Sequence, residues 1–159
     1  DRKTEGFFET MSIAENIFVG AMAGGKTRSQ IVSMREMREI AEKWTGALSV
    51  RAINNDARVV ELSGGNQQKV VVAKALVQRP KLIIFDEPTR GVDVGAIAEI
   101  HQLINQLADE GVAVMVISSY LPEVLQLSDR ILVCRQGRIV EEFDGHKTDE
   151  ETIMYAAVH

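Results

Sequence analysis

The sequence is poor in cysteine, in aromatic residues and in long apolar runs, and each shortage excludes a class of protein. Its single cysteine, Cys134, cannot build a disulfide framework, and its place in an apolar run predicts a small buried side chain. No apolar run approaches the roughly 18 residues that a membrane-spanning helix needs. With 5% aromatic residues and a net charge of −5, neither base stacking nor broad affinity for nucleic acid is expected. We therefore expect a cytosolic protein without a nucleic-acid partner.

The length of 159 residues is enough for one hydrophobic core and too short for two ordinary domains. The chain starts at Asp1 without an initiating methionine, and no apolar signal segment follows. We therefore expect a piece of a longer protein.

The stretch from residue 62 to residue 93 carries most of the functional information. It opens with Ser63, Gly64 and Gly65, which predict a turn that a ligand can approach closely, because glycine lacks Cβ and tolerates positive φ. A helix without Gly or Pro follows from Asn66. The free N–H groups of its first turn carry partial positive charge toward the glycines. The pattern predicts an anion-binding site at residues 63–66, here called the anion seat, and phosphate is its most natural ligand.

Two apolar runs predict neighbouring strands. Residues 82–85 form a continuous apolar run, which is typical of a strand buried on both faces of a parallel sheet. A helix is predicted over residues 95–110, and residues 112–117 form a second apolar strand, so the order predicts a βαβ unit. Asp86 and Glu87 follow the first strand, at the edge where open α/β sheets bind ligands.

Several motifs occur in the order that one protein family uses. LSGG with QQK, then IIFDEP, then RGVD resemble the signature motif, the Walker B strand with its catalytic glutamate, and the D-loop of ATP-binding cassette (ABC) transporter subunits. The segments LSGGNQQKV and DEPTRGVDVGA are similar to those in the second cassette of two-cassette subunits from bacterial monosaccharide importers, such as those for ribose or galactose. The resemblance implies that the chain is the C-terminal part of that second cassette.

The resemblance implies an α/β fold of the P-loop NTPase class with a RecA-like core. The chain would supply a fragment of it, a partial parallel sheet flanked by helices plus an α-helical subdomain. Residues 1–80 would form the helical subdomain with the LSGG motif. Residues 81–159 would form the Walker B half of the core, with a C-terminal hairpin and helix.

The resemblance also implies a role for each candidate site residue. Asp86 would hold Mg²⁺, and Glu87 would polarise the water that attacks the γ-phosphate of ATP. The seat at residues 63–66 would close over an ATP bound by the opposite cassette, with Asp93 at the dimer seam. Ser119 stands where these cassettes usually carry a histidine that contacts the γ-phosphate. Serine can hydrogen-bond phosphate but cannot take up charge as imidazole does.

The implied cofactors are ATP and Mg²⁺, and the implied activity is ATP hydrolysis coupled to transport. The implied partners are a second cassette in the same chain or in a dimer, transmembrane permease subunits and, indirectly, a periplasmic sugar-binding protein. The parent protein would lie in the cytoplasm, bound peripherally to the inner face of the cell membrane. Phe7 and Phe8 would either belong to the core or meet the transmembrane partner. Other subunits would select the sugar.

Residues 20–27 match the Walker A pattern G-x-x-x-x-G-K-[ST], which in phosphate-binding loops follows a buried strand. Here only residues 17–19 are apolar before it, and no apolar helix pattern follows. We interpret the match as a false positive in a variable loop and expect the true loop upstream of residue 1. On this interpretation the isolated chain is inactive, and it leaves a sheet edge exposed or paired with another copy.

Capping-box spacings predict three helix starts, at Ser12 with Glu15, at Ser33 with Glu36 and at Thr148 with Glu151. Residues 131–134 and 138–140, separated by a turn at Gln136 and Gly137, predict a β-hairpin.

Two other functions stay open at this point. DNA-repair and chromosome-maintenance ATPases of the SMC type also combine an LSGG-like signature with Walker B, but they separate these motifs with long coiled coils, and none is visible here. The second alternative is a catalytically dead cassette that only transmits closure.

Overall fold

The computed structural model describes residues 6–27 and 32–159. In this part of the chain the helices are α1 (Ile13–Ala23), α2 (Met34–Ala47), α3 (Gly64–Leu76), α4 (Val94–Asp109), α5 (Leu121–Leu127) and α6 (Glu150–Val158), and the strands are β1 (Leu82–Asp86), β2 (Ala113–Ile117), β3 (Arg130–Arg135) and β4 (Arg138–Asp144). The chain divides into two compact units, the first formed by Asp1–Leu82 with Thr89–Leu103 and the second by Ile83–Pro88 with Ile104–His159. No described helix is long and apolar enough to cross a membrane.

The first unit is built on helices. Helix α1 packs against both α2 and α3. Its apolar side chains Ala14 and Phe18 form a buried cluster with Met37 and Ala41 of α2. All four positions recur at helical spacing in the sequence, so burial of one stripe from each helix accounts for the packing.

Side chains cap the starts of the first two helices as predicted. The hydroxyl oxygen of Ser12 accepts from the amide of Glu15 at 3.2 Å, and the Ser12 amide donates to the Glu15 carboxylate at 2.7 Å. The amide of Glu36 donates to the Ser33 hydroxyl at 3.4 Å. Both helix starts are confirmed.

The predicted cap of the last helix is wrong by one residue. Asp149, not Thr148, is the N-cap of α6, and its carboxylate accepts from the Thr152 amide at 2.9 Å. This backbone hydrogen bond lowers the pKa of Asp149 below its usual value. A carboxylate is a stronger acceptor than a hydroxyl, so the aspartate takes the capping position.

The end of α1 is a helix stop with two characteristic hydrogen bonds. Gly25 follows the cap residue Gly24 and has a φ of 62°. The Lys26 amide donates to the Ala21 carbonyl at 2.8 Å, and the Gly25 amide donates to the Met22 carbonyl at 3.0 Å. This pattern is the Schellman motif, in which a left-handed glycine reverses the chain.

The second unit contains two pairs of strands. Strand β1 pairs with β2, and helix α4 lies between them in the sequence. The prediction that β1 is buried on both faces is wrong, because Ile83 and Phe85 are buried while Leu82 and Ile84 are 54% and 57% exposed. A strand is buried on both faces only where another layer of structure packs on each face. The described residues pack on one face of β1.

The predicted hairpin is confirmed and is longer than expected. Strands β3 and β4 pair antiparallel, and the two turn residues Gln136 and Gly137 have φ values of 50° and 75°. Two consecutive positive φ values are the mark of a type I′ turn, whose twist matches that of the strands.

Helix α6 packs on β3. The buried cluster of this region contains Ile131, Val133 and Ile153. Cys134 is exposed, so the prediction that it is buried is wrong. Neighbouring strand residues point to opposite faces, and Val133 takes the face covered by the helix.

We expect Gly25→Ala to lower the free energy of unfolding by about 1–2 kcal/mol, because a Cβ makes the left-handed backbone unfavourable. Chemical denaturation measures the change. Gly46→Ala is the matched control, since no atom beyond its own helix lies within 4 Å of the Cβ position at Gly46. The control should leave stability unchanged or raise it by up to about 1 kcal/mol. Equal effects of the two substitutions would contradict this account of the helix stop.

Candidate functional site

The predicted anion seat is the first turn of helix α3. The helix begins at Gly64, two residues earlier than predicted, with Ser63 as its N-cap. Gly64 and Gly65 therefore have helical backbones, and the prediction of a glycine turn with positive φ is wrong. A helix start still directs its N–H groups outward, so the site keeps the property that suits an anion.

Gly65 is required by packing. A Cβ on Gly65 would lie 2.7 Å from the Cβ of Ala96 in α4, which is closer than such atoms approach in proteins. The two helices therefore meet closely near their starts, and the small size of glycine permits the contact.

The Ser63 hydroxyl is positioned by a side chain. Its oxygen accepts from the Asn66 side-chain amide at 2.9 Å, and the Asn66 carbonyl oxygen accepts from the Arg51 amide at 2.7 Å. Ser63 makes no capping hydrogen bond with its side chain. Its exposed hydroxyl therefore keeps a hydrogen to donate to an anion in front of the helix.

Asp93 lies at the start of α4, in the same unit. Its carboxylate accepts from the Ala96 amide at 3.1 Å, and its carbonyl accepts from the same amide at 3.0 Å. Asp93 thus acts as the N-cap of α4, with an exposed side chain. Because Ala96 also faces Gly65, the structure brings Asp93 close to the start of α3.

An ion-pair network beside this site was missed by the sequence analysis. The ammonium group of Lys69 lies 2.8 Å from the Glu99 carboxylate and 3.2 Å from the Ser49 carbonyl oxygen. The Arg51 guanidinium lies 3.1 Å from the same carboxylate. The hydrogen bond from Lys69, with the charges of Lys69 and Arg51, lowers the pKa of Glu99. The sequence gives no signal for it, because the partners are 30 and 48 residues apart.

The second unit holds the acidic pair. Asp86 ends β1 with an exposed side chain. Glu87 has a φ of 48°, its amide donates to the Ile117 carbonyl at 2.8 Å, and its carboxylate accepts from the Ser119 amide at 2.9 Å. The structure thus brings Glu87 and Ser119 together through the Ser119 backbone N–H. A left-handed backbone is unfavourable for glutamate, and these hydrogen bonds help to hold it.

The donor set fits a magnesium ion only when phosphate oxygens supply the other ligands. Among the described residues no group of three or more His, Cys, Asp or Glu side chains could hold a metal. Mg²⁺ commonly takes one or two carboxylates and fills its octahedron with water and substrate phosphates. Asp86 is exposed and can serve as such a ligand, whereas one oxygen of Glu87 is engaged by Ser119.

Residues 20–27 do not have the structure of a phosphate-binding loop. Residues 20–23 belong to α1, and the amides of Gly25 and Lys26 already donate to carbonyl groups of that helix. The end of a helix also carries partial negative charge, which disfavours phosphate. Gly20 has a packing role, since a Cβ there would overlap the Lys74 carbonyl of α3. The strand that the Walker A pattern requires before it is absent here, since α1 precedes these residues, and the prediction of a variable loop is wrong for residues 20–23, which are helical.

Comparison with known proteins gives consistent results. The sequence model of a family described as ABC transporter matches residues 2–90. The chain is 49% identical over 157 residues to the ribose import ATP-binding protein RbsA 2 of Rhizobium meliloti, covering 99% of this chain and 30% of that protein. It is 46% identical over 159 residues to the xylose import ATP-binding protein XylG of Moorella thermoacetica, covering 99% and 31%.

The fold also resembles solved structures. The dimeric structure of a post-hydrolysis state of an ATP-binding cassette bound to ADP and Pi matches with a TM-score of 0.71 at 25% identity, covering 87% of this chain and 58% of that one. The chain spans about 30% of the length of the two import proteins it matches.

We expect Lys26→Ala to leave the ATP affinity of the full-length protein unchanged, because the amides of Gly25 and Lys26 are already hydrogen-bonded to carbonyl groups at the C-terminal end of α1. Titration with a fluorescent ATP analogue measures the affinity. The control Lys43→Ala removes an exposed lysine of α2, and it shows how much the measured ATP affinity varies when an unrelated lysine is lost. A clear loss of affinity in Lys26→Ala alone would show that these residues bind nucleotide.

We expect Gly65→Ala to destabilise the protein by about 1–3 kcal/mol, because it forces α3 and α4 apart. The double variant Gly65→Ala/Ala96→Gly removes the overlap and should recover most of the loss. Ala96→Gly alone measures the cost of glycine in α4, about 1 kcal/mol. Chemical denaturation of all three variants is the test. If the double variant loses the sum of the single losses, contact with Ala96 is not the reason for glycine at position 65.

Proposed function

The chain belongs to the ABC transporter family, and we propose that it is the part of a sugar-import ATP-binding subunit that contributes to two ATP sites at a cassette dimer interface. The observation that carries the proposal is the match over nearly its whole length to two import ATP-binding proteins. The predicted α/β fold of the P-loop NTPase class is confirmed by the cassettes it resembles. The sugar class we propose is a monosaccharide such as ribose or xylose.

We assign the two ends of the chain different tasks. Residues 1–80 would present the signature seat to an ATP held by the opposite cassette. Residues 81–159 would supply the acidic pair to the ATP of their own cassette. Under this division each ATP site needs residues from two cassettes, so hydrolysis requires a dimer.

The chemistry assigned to each side chain follows from its surroundings. Glu87 would act as the base that orients and polarises the attacking water, and the Ser119 amide would keep its carboxylate in place. Ser63 would donate its hydroxyl hydrogen to a phosphate oxygen, with Asn66 holding the hydroxyl oxygen. Asp86 would be the protein ligand of Mg²⁺, which when bound neutralises charge on the phosphates.

The proposed partners are a second cassette, transmembrane permease subunits and, indirectly, a periplasmic sugar-binding protein, with the subunit on the cytoplasmic face of the membrane. Phe7 is 5% exposed and belongs to the core, whereas Phe8 is 46% exposed. Of the two alternatives that the sequence left open, the core is the place of Phe7, and the exposure of Phe8 supports the proposal that it meets a partner. Phe8 is available for contact with a permease.

A catalytically dead cassette remains the second candidate function, and one observation favours it. The residue at the usual histidine position is Ser119, whose hydroxyl cannot take up charge as an imidazole does and whose contact with Glu87 is made by its backbone N–H. On this hypothesis the chain would transmit closure without hydrolysing its own ATP.

We expect Glu87→Gln to lower ATP hydrolysis by roughly 10²- to 10⁴-fold, because the amide cannot accept the proton of the attacking water. The rate is measured in a full-length subunit whose other cassette has been inactivated. Ser119→Ala should have little effect, because alanine keeps the backbone N–H that Glu87 accepts from. Glu141→Gln, at an exposed position of β4, is the control. Unchanged hydrolysis and sugar uptake in Glu87→Gln would favour the dead cassette.

A further inference from the structure

In the first unit, helices α3 and α4 are joined by an ion pair at equivalent positions near their N-terminal ends. Lys69 lies six residues after Ser63, the N-cap of α3, and Glu99 lies six residues after Asp93, the N-cap of α4. The 2.8 Å bond between Lys69 and Glu99 therefore connects the second turns of the two helices.

A second contact joins the same helices nearer to their starts. Gly65 and Ala96 approach so closely that a Cβ on Gly65 has no space. A close backbone contact in the first turn and an ion pair in the second turn together restrict rotation of one helix against the other. Neither contact alone would do so, because one helix can still rotate against the other about a single point of contact.

Arg51, in the segment between α2 and α3, contacts both α3 and α4. Arg51 contacts Glu99 with its guanidinium and Asn66 with its backbone amide, and Asn66 in turn holds the Ser63 hydroxyl. Glu99 is thus linked through Arg51 and Asn66 to the hydroxyl that faces outward from α3.

The lysine side of this ion pair is buried. The Lys69 side chain is only 8% exposed, whereas that of Glu99 is 39% exposed, and the lowered pKa of Glu99 reflects the hydrogen bond that it accepts from this lysine. Without the carboxylate, a buried ammonium would keep the Ser49 carbonyl as a partner but lose its counter-charge. Leaving the buried ammonium without its counter-charge is therefore more costly than removing both members of the pair.

We propose that Glu99 is a positioning residue that holds the starts of α3 and α4 in one fixed arrangement through Lys69 and Arg51. Under the proposed function, on which this second step rests, Ser63 and Asp93 then reach a partner cassette as one preformed surface. Glu99 itself touches neither nucleotide nor the partner's reacting groups.

The first experiment tests the link without nucleotide, by hydrogen exchange of backbone amides in the full-length protein. Lys69→Met should speed exchange of the hydrogen-bonded amides of residues 96–99 in α4, and Glu99→Gln should speed exchange of those of residues 67–69 in α3, by roughly 3- to 10-fold. Each substitution is read out on the helix that does not carry it. The control Glu142→Gln breaks the 2.9 Å pair with Arg130 in the second unit and should change neither segment.

The double variant Lys69→Met/Glu99→Gln provides the decisive comparison. It leaves no buried charge without a partner, so exchange in both segments should be slower than in Glu99→Gln alone. If each single variant changes only its own helix, or if the double variant shows the product of the single effects, the proposed link is wrong.

The second experiment tests the consequence for ATP. In the full-length subunit, Glu99→Gln should raise the ATP concentration for half-maximal hydrolysis several-fold while kcat changes little, because the preformed surface is lost before chemistry begins. Unchanged ATP dependence with altered hydrogen exchange would overturn the functional step. Absence of ATP hydrolysis in the unsubstituted subunit would instead overturn the proposed function, and the exchange experiment would still decide the structural link.

Discussion

The first unit depends on the close approach of neighbouring helices to α3, and glycine permits that approach at two points. Gly20 of α1 lies against the Lys74 carbonyl, and Gly65 of α3 lies against Ala96 of α4. A methyl group at either glycine would separate the helices. The small size of these two glycines thus sets the spacing of the helices, and the ion pair between Lys69 of α3 and Glu99 of α4 forms across that close contact.

Local features of the fold were predictable because they depend on short stretches of sequence. The caps at Ser12 and Ser33 and the turn at Gln136 and Gly137 follow from the chemistry of a few adjacent residues. The errors arose where a wider environment decides. Whether Cys134 or Ile84 is buried depends on which layer covers each face of a strand, and an apolar run does not carry that information.

The sequence proposes residues for the candidate site but does not give their contacts. Sequence patterns single out Glu87 and Ser119 as candidates, and the structure joins them through a backbone N–H that no side-chain argument could reveal. The anion seat at residues 63–66 was predicted from a glycine turn, whereas in the structure both glycines are helical and Gly65 serves the packing of α3 on α4. The pair of Lys69 and Glu99 has no local pattern, because it forms only after distant segments fold together.

The bond from the Ser119 backbone to Glu87 has a consequence for how sequences of this type vary. Every amino acid except proline carries the N–H that makes this bond. Position 119 can therefore accept many replacements over evolutionary time while the contact persists. We would expect weak covariation between positions 87 and 119 among relatives, although the two residues touch. Methods that infer contacts from correlated substitutions would miss one of the few interactions that fix the orientation of this carboxylate.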